Sequence, residues 1–219
     1  MPARNLPLVN EEYYHIFNRG VAKMPIFLRD KDYQRFIDAF IYYLDANPEV
    51  GFSKSSLEQK NVKSSGQIVD MICYCLMPNH FHFLLRQNID NGVVDFIRKV
   101  TNSYAKYFNT KYKRKGPLFE GKFKAIRVES NEQLLHLSRY IHLNPLVGYV
   151  TKDLRLHKWS SYSEYVQTSN SDICSLDVVL NQFQSTEDYE RFVLDHEDYG
   201  KKLEQIKHQL LEEAEKQWT

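Results

Sequence analysis

The stretch CYCLMPNHFHFLL, residues 73–85, constrains the fold more than any other part of this 219-residue chain. Two apolar runs flank Pro78 and Asn79, and a proline at the second position of a turn favours a tight reversal there. The run before the turn is almost continuously apolar, which is typical of a strand buried on both faces. The run after the turn has the length of a second strand. We therefore predict a hairpin of strands 69–77 and 80–86.

Side chains alternate between the two faces of a strand, and this separates the histidines of the second arm from its phenylalanines. Phe81 and Phe83 share one face and suit a hydrophobic core. His80 and His82 share the other, with Cα atoms about 6.5–7 Å apart. Two neutral imidazoles at that spacing can hold one divalent ion. Polar residues on a solvated sheet face are the simpler interpretation, and a His-x-His motif alone does not identify a metal site.

The remaining elements of the body follow from hydrophobic periodicity and turn residues. We predict strand 13–20, helix 30–47, helix 93–108, strand 122–129 and helix 131–145. Pro145 is expected to stop the last of these helices. The order β-α-β-β-α-β-α predicts an α+β fold, an antiparallel sheet with helices packed on one face. The Ser/Lys-rich segment 51–68 is predicted to be a loop.

Charge divides the chain into two parts. The chain has 29 basic and 28 acidic residues. Residues 171–219 hold 5 basic and 12 acidic residues, and residues 1–170 hold the other 24 basic and 16 acidic residues. The excess of basic residues in residues 1–170 favours a polyanionic partner. The alternative is that the two parts are simply solvated independently, which would give the same charge distribution. We predict one domain over residues 1–170 and an acidic helical extension over 171–219, with its last helix at 201–218.

The composition also indicates a compartment. No apolar run approaches the roughly 18 residues of a membrane span, and the first residues do not resemble a secretory signal. The three cysteines, Cys73, Cys75 and Cys174, show neither a CxxC motif nor a zinc-binding spacing. We expect free thiols in a reducing cytoplasm and no membrane partner.

A possible partner for the histidine pair lies on the last predicted helix of the body. Tyr140 and Asn144 are four residues apart, so they lie on the same face of a helical turn. A tyrosine can act as a nucleophile, and an amide oxygen is a hard metal ligand. The alternative is that Tyr140 is a core aromatic and Asn144 a helix cap.

Five blocks of the sequence, taken in order, resemble one known family. The blocks are YYHIFNRG, YCLMPNHFHFLL, GPLFEGKFKAIRV, RYIHLNPLVGYV and WSSYSEY. They resemble successive blocks of the single-tyrosine HUH transposases, in particular the REP-associated tyrosine transposase branch, over about residues 13–165. The later segment TEDYERFV resembles part of the C-terminal tail of that branch.

The resemblance implies a ferredoxin-like (RRM-like) fold and site-specific cleavage of single-stranded DNA at hairpin or repeat sequences. His80 and His82 would bind a divalent metal, Mg²⁺ or Mn²⁺, and Tyr140 would form a 5′-phosphotyrosine intermediate. Asn144 falls where related enzymes place a third ligand, which in some relatives is Gln. Asn18 and Arg19 match a block whose expected job is to support the site or hold DNA.

A basic segment follows the second predicted helix and is expected to bind DNA. Its cationic residues outnumber the one acidic residue, Glu120, and we predict DNA contacts for Lys113, Arg114, Lys115, Lys122, Lys124 and Arg127. Phe119 and Phe123 lie among them and are candidates for base stacking. A solvated loop beside core phenylalanines is the alternative.

Two other classes of function remain compatible with the sequence. Split βαβ sheets bind nucleic acid without catalysis, and a metal-dependent hydrolase would use water in place of Tyr140. We expect a monomer or a homodimer.

Overall fold

The computed structural model describes residues 8–46, 52, 66–169 and 171–195. Its strands and helices are β1 (Tyr13–Arg19), α1 (Asp30–Leu44), β2 (Val69–Met77), β3 (His80–Gln87), α2 (Gly92–Lys111), β4 (Lys124–Val128), α3 (Asn131–Val147), α4 (Tyr162–Tyr165), α5 (Asp177–Leu180) and α6 (Thr186–Leu194). The predicted order of elements in the body is confirmed. Most of the predicted loop 51–68 and all of the predicted helix 201–218 lie outside the described residues.

The four strands form one antiparallel sheet in the order β2-β3-β1-β4. The first and last strands of the βαββαβ unit are neighbours, and the β2–β3 hairpin completes one side. This confirms the α+β, ferredoxin-like fold class. The hairpin reverses at Pro78 and Asn79, as the sequence predicts.

One face of the sheet carries an aromatic core under α1 and α2. Phe81 and Phe83 of β3 are fully buried, and the ring of Phe36 from α1 lies 5.3 Å and 6.1 Å from theirs between centroids. Phe96 of α2 packs against Phe83 at 6.2 Å. Each fully buried phenylalanine stabilises the fold by about 1.5–3 kcal/mol. The predicted division of β3 into a phenylalanine face and a histidine face is therefore confirmed.

The opposite face is covered by α3, so the expectation that all helices pack on one face holds only for α1 and α2. α3 contacts β2, β3 and β4, and α5 and α6 pack on α3 in turn. The reason lies in β2, whose Cys73 and Cys75 make its second face apolar as well. A strand that is apolar on both faces needs a covering layer on each.

α3 does not stop at Pro145 but continues to Val147, so the predicted end of this helix is wrong. Pro145 is buried, and Leu146 after it belongs to the core beneath α3. A proline near the end of a helix removes only one backbone hydrogen bond, and the packing of this last turn outweighs that loss. The helix ends at Gly148, where a Cβ atom would lie 2.8 Å from Cε of Met77 in β2.

A buried chain of hydrogen bonds joins α6 to α3 and the sheet. His142 lies between Tyr189 Oη, 2.7 Å from its Nδ1, and Ser161 Oγ, 2.8 Å from its Nε2. Ser161 Oγ also accepts a hydrogen bond from the backbone N–H of Tyr74 in β2 at 2.9 Å. Burial lowers the pKa of His142 to about 3, so its ring is neutral. The domain boundary at 170 stays a prediction, but α6 is bonded to the helix that carries Tyr140.

The cysteines Cys73, Cys75 and Cys174 are free thiols, as expected. None of the helices in the described ranges combines the length and the apolar character needed to cross a lipid bilayer.

We predict that Tyr189→Phe destabilises the protein by about 1–3 kcal/mol, because it leaves the buried Nδ1 of His142 without its partner. Urea unfolding followed by circular dichroism measures the change. Tyr33→Phe is the matched control, since the Tyr33 hydroxyl makes no hydrogen bond to any described residue. Equal stability of Tyr189→Phe and wild type would contradict the bracing role of Tyr189.

Candidate active site

The register of β1 against β3 determines which side chains surround the histidine pair. Arg19 pairs with His80, and Phe17 pairs with His82. Directly paired residues project to the same face, so these side chains of β1 lie beside the histidines. His15, two residues before Phe17, shares that face.

The two histidines of β3 lie side by side, as the alternation of the strand predicts. Their ring centroids are 4.9 Å apart and the rings are nearly perpendicular, at 89°. His82 is buried and His80 is half-buried. Burial, together with the neighbouring imidazoles of His80 and His15, lowers the pKa of His82 well below its usual range. His82 is therefore neutral near pH 7, the form that a metal ligand requires.

The proton position on His80 follows from its neighbour Asn79. Asn79 Nδ2 donates to the backbone carbonyl of Lys23 at 3.1 Å, which places Asn79 Oδ1 against His80 Nδ1 at 2.6 Å. An amide oxygen only accepts, so Nδ1 of His80 carries the proton. Its Nε2 then has a lone pair for a ligand. Lys23, whose carbonyl accepts the hydrogen bond from Asn79, has a left-handed backbone conformation with φ 58°.

A third histidine, which the sequence reading did not include, joins the pair. Nε2 of His15 lies 2.9 Å from Nδ1 of His82, and burial lowers the pKa of His15 to about 4. Two neutral rings share one proton in this bond, and either can be the donor. The contact crosses from β1 to β3, 67 residues apart, so only the strand register could have revealed it.

α3 brings Tyr140 to the histidines. The Tyr140 ring lies 5.4 Å from the ring of His82 and 6.0 Å from that of His15, edge-on to both, and the side chain is 50% exposed. Asn144 follows one turn later and donates from Nδ2 to the carbonyl of Tyr140 at 3.3 Å, which leaves its Oδ1 available. The alternative of a core aromatic at Tyr140 does not fit this exposure.

The donors at this site suit a small divalent cation. His80 and His82 offer imidazole nitrogens and Asn144 an amide oxygen, a set compatible with Mn²⁺ or Mg²⁺. Within the described residues, no group of three or more His, Cys, Asp and Glu side chains could hold a metal. The role of Asn144 as a third ligand stays a prediction.

Asn18 and Arg19 tie the end of β1 to the loop before β4. Asn18 is buried and donates from Nδ2 to the carbonyl of Gly121 at 3.4 Å, while Arg19 forms an ion pair with Glu120. Gly20 is needed here because a Cβ atom would lie 2.1 Å from the carbonyl oxygen of Met24. These contacts fit the expected supporting role, and a contact with DNA stays a prediction.

The predicted basic segment divides into exposed cations and cations with partners. Lys113, Lys115 and Lys122 are exposed and form no ion pair with a described residue. Lys124 lies 5.9 Å from the centre of the Phe17 ring, on the histidine face of the sheet.

The two arginines of the predicted set are both engaged within the protein. Arg114 donates to the side chain of Asn109 at 3.3 Å, and Arg127 pairs with Glu12 at 2.5 Å. Phe119 is 8% exposed and packs in the core, which contradicts its expected role in base stacking.

A buried carboxylate that the sequence reading missed anchors the start of this segment. Asp32 of α1 is fully buried and accepts hydrogen bonds from Lys111, Tyr112 and Tyr107 at 2.5, 2.7 and 3.1 Å. Burial alone would raise the pKa of Asp32, but these bonds and one from the N–H of Leu28 lower it overall. The chain leaving α2 is thereby fixed against α1.

Comparisons with known proteins find a matching family model and a similar fold. Residues 54–144 match the family model described as transposase, IS200 like. A solved REP-associated tyrosine transposase bound to a REP hairpin is similar in fold, with a TM-score of 0.58 and 13% identity over 82% of this chain and 97% of that one. A putative transposase from Deinococcus radiodurans R1 has a TM-score of 0.38 and 14% identity over 64% of this chain and 95% of that one. A search of the curated proteins gives no significant match.

The matched segment, residues 54–144, includes His80, His82, Tyr140 and Asn144. Over this segment the chain resembles the IS200-like transposase family.

We predict that Asp32→Asn costs about 1–3 kcal/mol near neutral pH, because Lys111 loses its buried counter-charge. The pKa of Asp32 is lower in the folded protein than in the unfolded chain, where it is about 3.9. The stabilisation from its ionised carboxylate is therefore fully present above pH ~3.9 and is lost as the pH falls through the pKa of the folded protein. The difference between wild type and variant in urea unfolding should therefore shrink in acid. Asp95→Asn, in an exposed pair with Arg98, is the control and should change stability by less than about 1 kcal/mol. A pH-independent difference for Asp32→Asn would contradict this account.

Proposed function

We propose that this protein is a metal-dependent transposase that cleaves and rejoins single-stranded DNA through Tyr140. The observation that carries the proposal is the edge-on contact of the half-exposed Tyr140 ring with His82, 5.4 Å between centroids, beside His80. A nucleophile and two metal-competent imidazoles from separate elements share one open face. A packing role alone does not require a tyrosine that is half exposed there.

The reaction follows from the groups at the site. Tyr140 Oη forms a bond to the phosphorus of the scissile phosphate, and the bond from that phosphorus to the 3′ oxygen breaks. The phenol proton passes to solvent, and the departing oxygen takes up a proton to become a 3′-hydroxyl. The products are a 5′-phosphotyrosine and a free 3′ end, and attack by a 3′-hydroxyl reverses the step without ATP.

His80, His82 and Asn144 would hold the divalent metal, Mg²⁺ or Mn²⁺. When bound, it polarises the phosphate and offsets the charge that develops on its oxygens. The neutral state of His82, with its pKa lowered by burial, keeps this ligand ready without a proton to displace near pH 7.

The proposed substrate is a single-stranded DNA that folds into a hairpin or repeat. The exposed cations Lys113, Lys115, Lys122 and Lys124 suit a phosphate backbone. The similar solved transposase is bound to a REP hairpin, which supports this substrate class. We propose that the protein acts as a monomer or homodimer in the cytoplasm, at the nucleoid, where such DNA occurs.

We predict that Tyr140→Phe abolishes the covalent adduct, because the attacking oxygen is absent. The assay incubates the protein with end-labelled single-stranded hairpin DNA and Mn²⁺ and separates adducts on a denaturing gel. Tyr149→Phe, an exposed tyrosine just beyond the same helix, is the matched control and should keep the adduct. Cleavage that survives in Tyr140→Phe would indicate a hydrolase that uses water, and DNA binding with no cleavage by wild type would indicate a non-catalytic module.

We predict that the double variant Lys113→Glu/Lys115→Glu weakens hairpin binding, because two cations near phosphates become anions. The slope of log affinity against log salt should become shallower by about 0.7–0.9 for each phosphate that the protein no longer neutralises. Fluorescence anisotropy at several salt concentrations measures both. Lys31→Glu/Lys106→Glu, within α1 and α2 and outside the basic segment, makes the same change in net charge. An equal loss of affinity in both double variants would show that net charge alone, and not this segment, governs binding.

A further inference from the structure

His15 has no part in the reaction as proposed, yet it makes a close contact with one of the metal ligands. Its Nε2 lies 2.9 Å from Nδ1 of His82, and the two rings are stacked at 5.1 Å between centroids with 22° between their planes. Both side chains are buried. The contact links β1 to β3 on the face that carries Tyr140.

The proton in this bond decides which nitrogen of His82 is basic. A neutral imidazole has one N–H, and only one of the two facing nitrogens can carry a proton in the bond. If His82 donates from Nδ1, its Nε2 has a lone pair directed away from His15. If His15 donates, the proton of His82 lies on Nε2 and blocks that atom as a ligand.

We propose that His15 accepts this hydrogen bond and so holds His82 in the tautomer whose Nε2 can bind the metal. His15 is then a positioning residue, and its role rests on the proposed function of the site. A ligating histidine commonly donates its second N–H to a neighbouring acceptor, which fixes both the tautomer and the ring orientation.

The arrangement around His80 supports this assignment. Asn79 Oδ1, oriented by its Nδ2 bond to the Lys23 carbonyl, accepts from Nδ1 of His80 and leaves Nε2 basic. With His15 as acceptor, both histidines of β3 present Nε2 in the same protonation state. With His15 as donor, one ligand would be ready and the other blocked.

The surroundings of His82 point the same way. In the described part of the chain, no buried side-chain nitrogen or oxygen lacks a hydrogen-bond partner. The Nδ1 atom of His82 bonds to His15, and its Nε2 bonds to no described residue, so Nε2 is on the accessible side of the ring. That is the side from which a cation or water reaches it.

The first test reads the tautomer directly in the metal-free full-length protein. Long-range ¹H–¹⁵N correlation spectra of histidine-labelled protein at neutral pH distinguish protonated from unprotonated ring nitrogens, and His82→Gln assigns the signals. The proposal expects the proton of His82 on Nδ1. A proton on Nε2 would overturn it, and this readout needs neither metal nor activity.

The second test separates the acceptor from simple packing. His15→Gln retains an oxygen that can accept, whereas His15→Phe retains a ring without one. Mn²⁺ affinity, measured by electron paramagnetic resonance, should fall about 10–100-fold in His15→Phe and stay close to wild type in His15→Gln. The amide spectrum of each variant checks that the sheet is intact.

The outcomes distinguish this inference from the proposed function. If His15→Phe binds Mn²⁺ as wild type does, His15 is a packing residue and the inference fails. If wild type carries the proton on Nδ1 but binds no Mn²⁺ or Mg²⁺, the metal-dependent function fails while the tautomer assignment stands. If His15→Phe and His15→Gln lose affinity equally, an acceptor at position 15 is not what matters, and the inference is overturned.

Discussion

The register of β1 against β3 is the constraint on which the rest of the site depends. A slip of one residue would turn the imidazoles of His80 and His82 into the aromatic core and expose Phe81 and Phe83. Each polar ring buried without a partner would cost about 1–3 kcal/mol, in addition to the lost burial of the phenylalanines. The same hydrophobic pattern that stabilises the sheet therefore fixes the face that carries His80 and His82, and no separate element is needed to orient it.

The second determinant is the covering of both faces of the sheet. α1 and α2 bury the aromatic side, and α3 covers the other side, mainly over β2 and with further contacts to β3 and β4. The histidines lie at the margin of this cover, where burial keeps His82 and His15 neutral while half of Tyr140 remains exposed. A fully covered face would bury Tyr140, and an open one would leave the imidazoles close to their ordinary pKa in water.

Local pattern predicted the elements because period-2 and period-3.6 spacing reflect the two faces of strands and helices. It placed His80 and His82 on one face of their strand for the same reason, whereas Tyr140 was singled out by the resemblance to a transposase family. It could not predict the hydrogen bond between His15 and His82 or the one from Lys111 to Asp32, because those contacts depend on which distant strands and helices become neighbours. Pro145 shows the limit of a local rule, since packing of the last turn of α3 outweighs one missing backbone bond.

The bond between Tyr189 and His142 has a consequence for biosynthesis. The sheet and α3 precede α6 in the chain, and domains assemble from the N-terminus as they are made. Tyr189, the partner that satisfies the buried His142, is synthesised after the sheet and α3. In a nascent chain the hairpin of His80 and His82 can therefore form before α3 gains its hydrogen bond to α6.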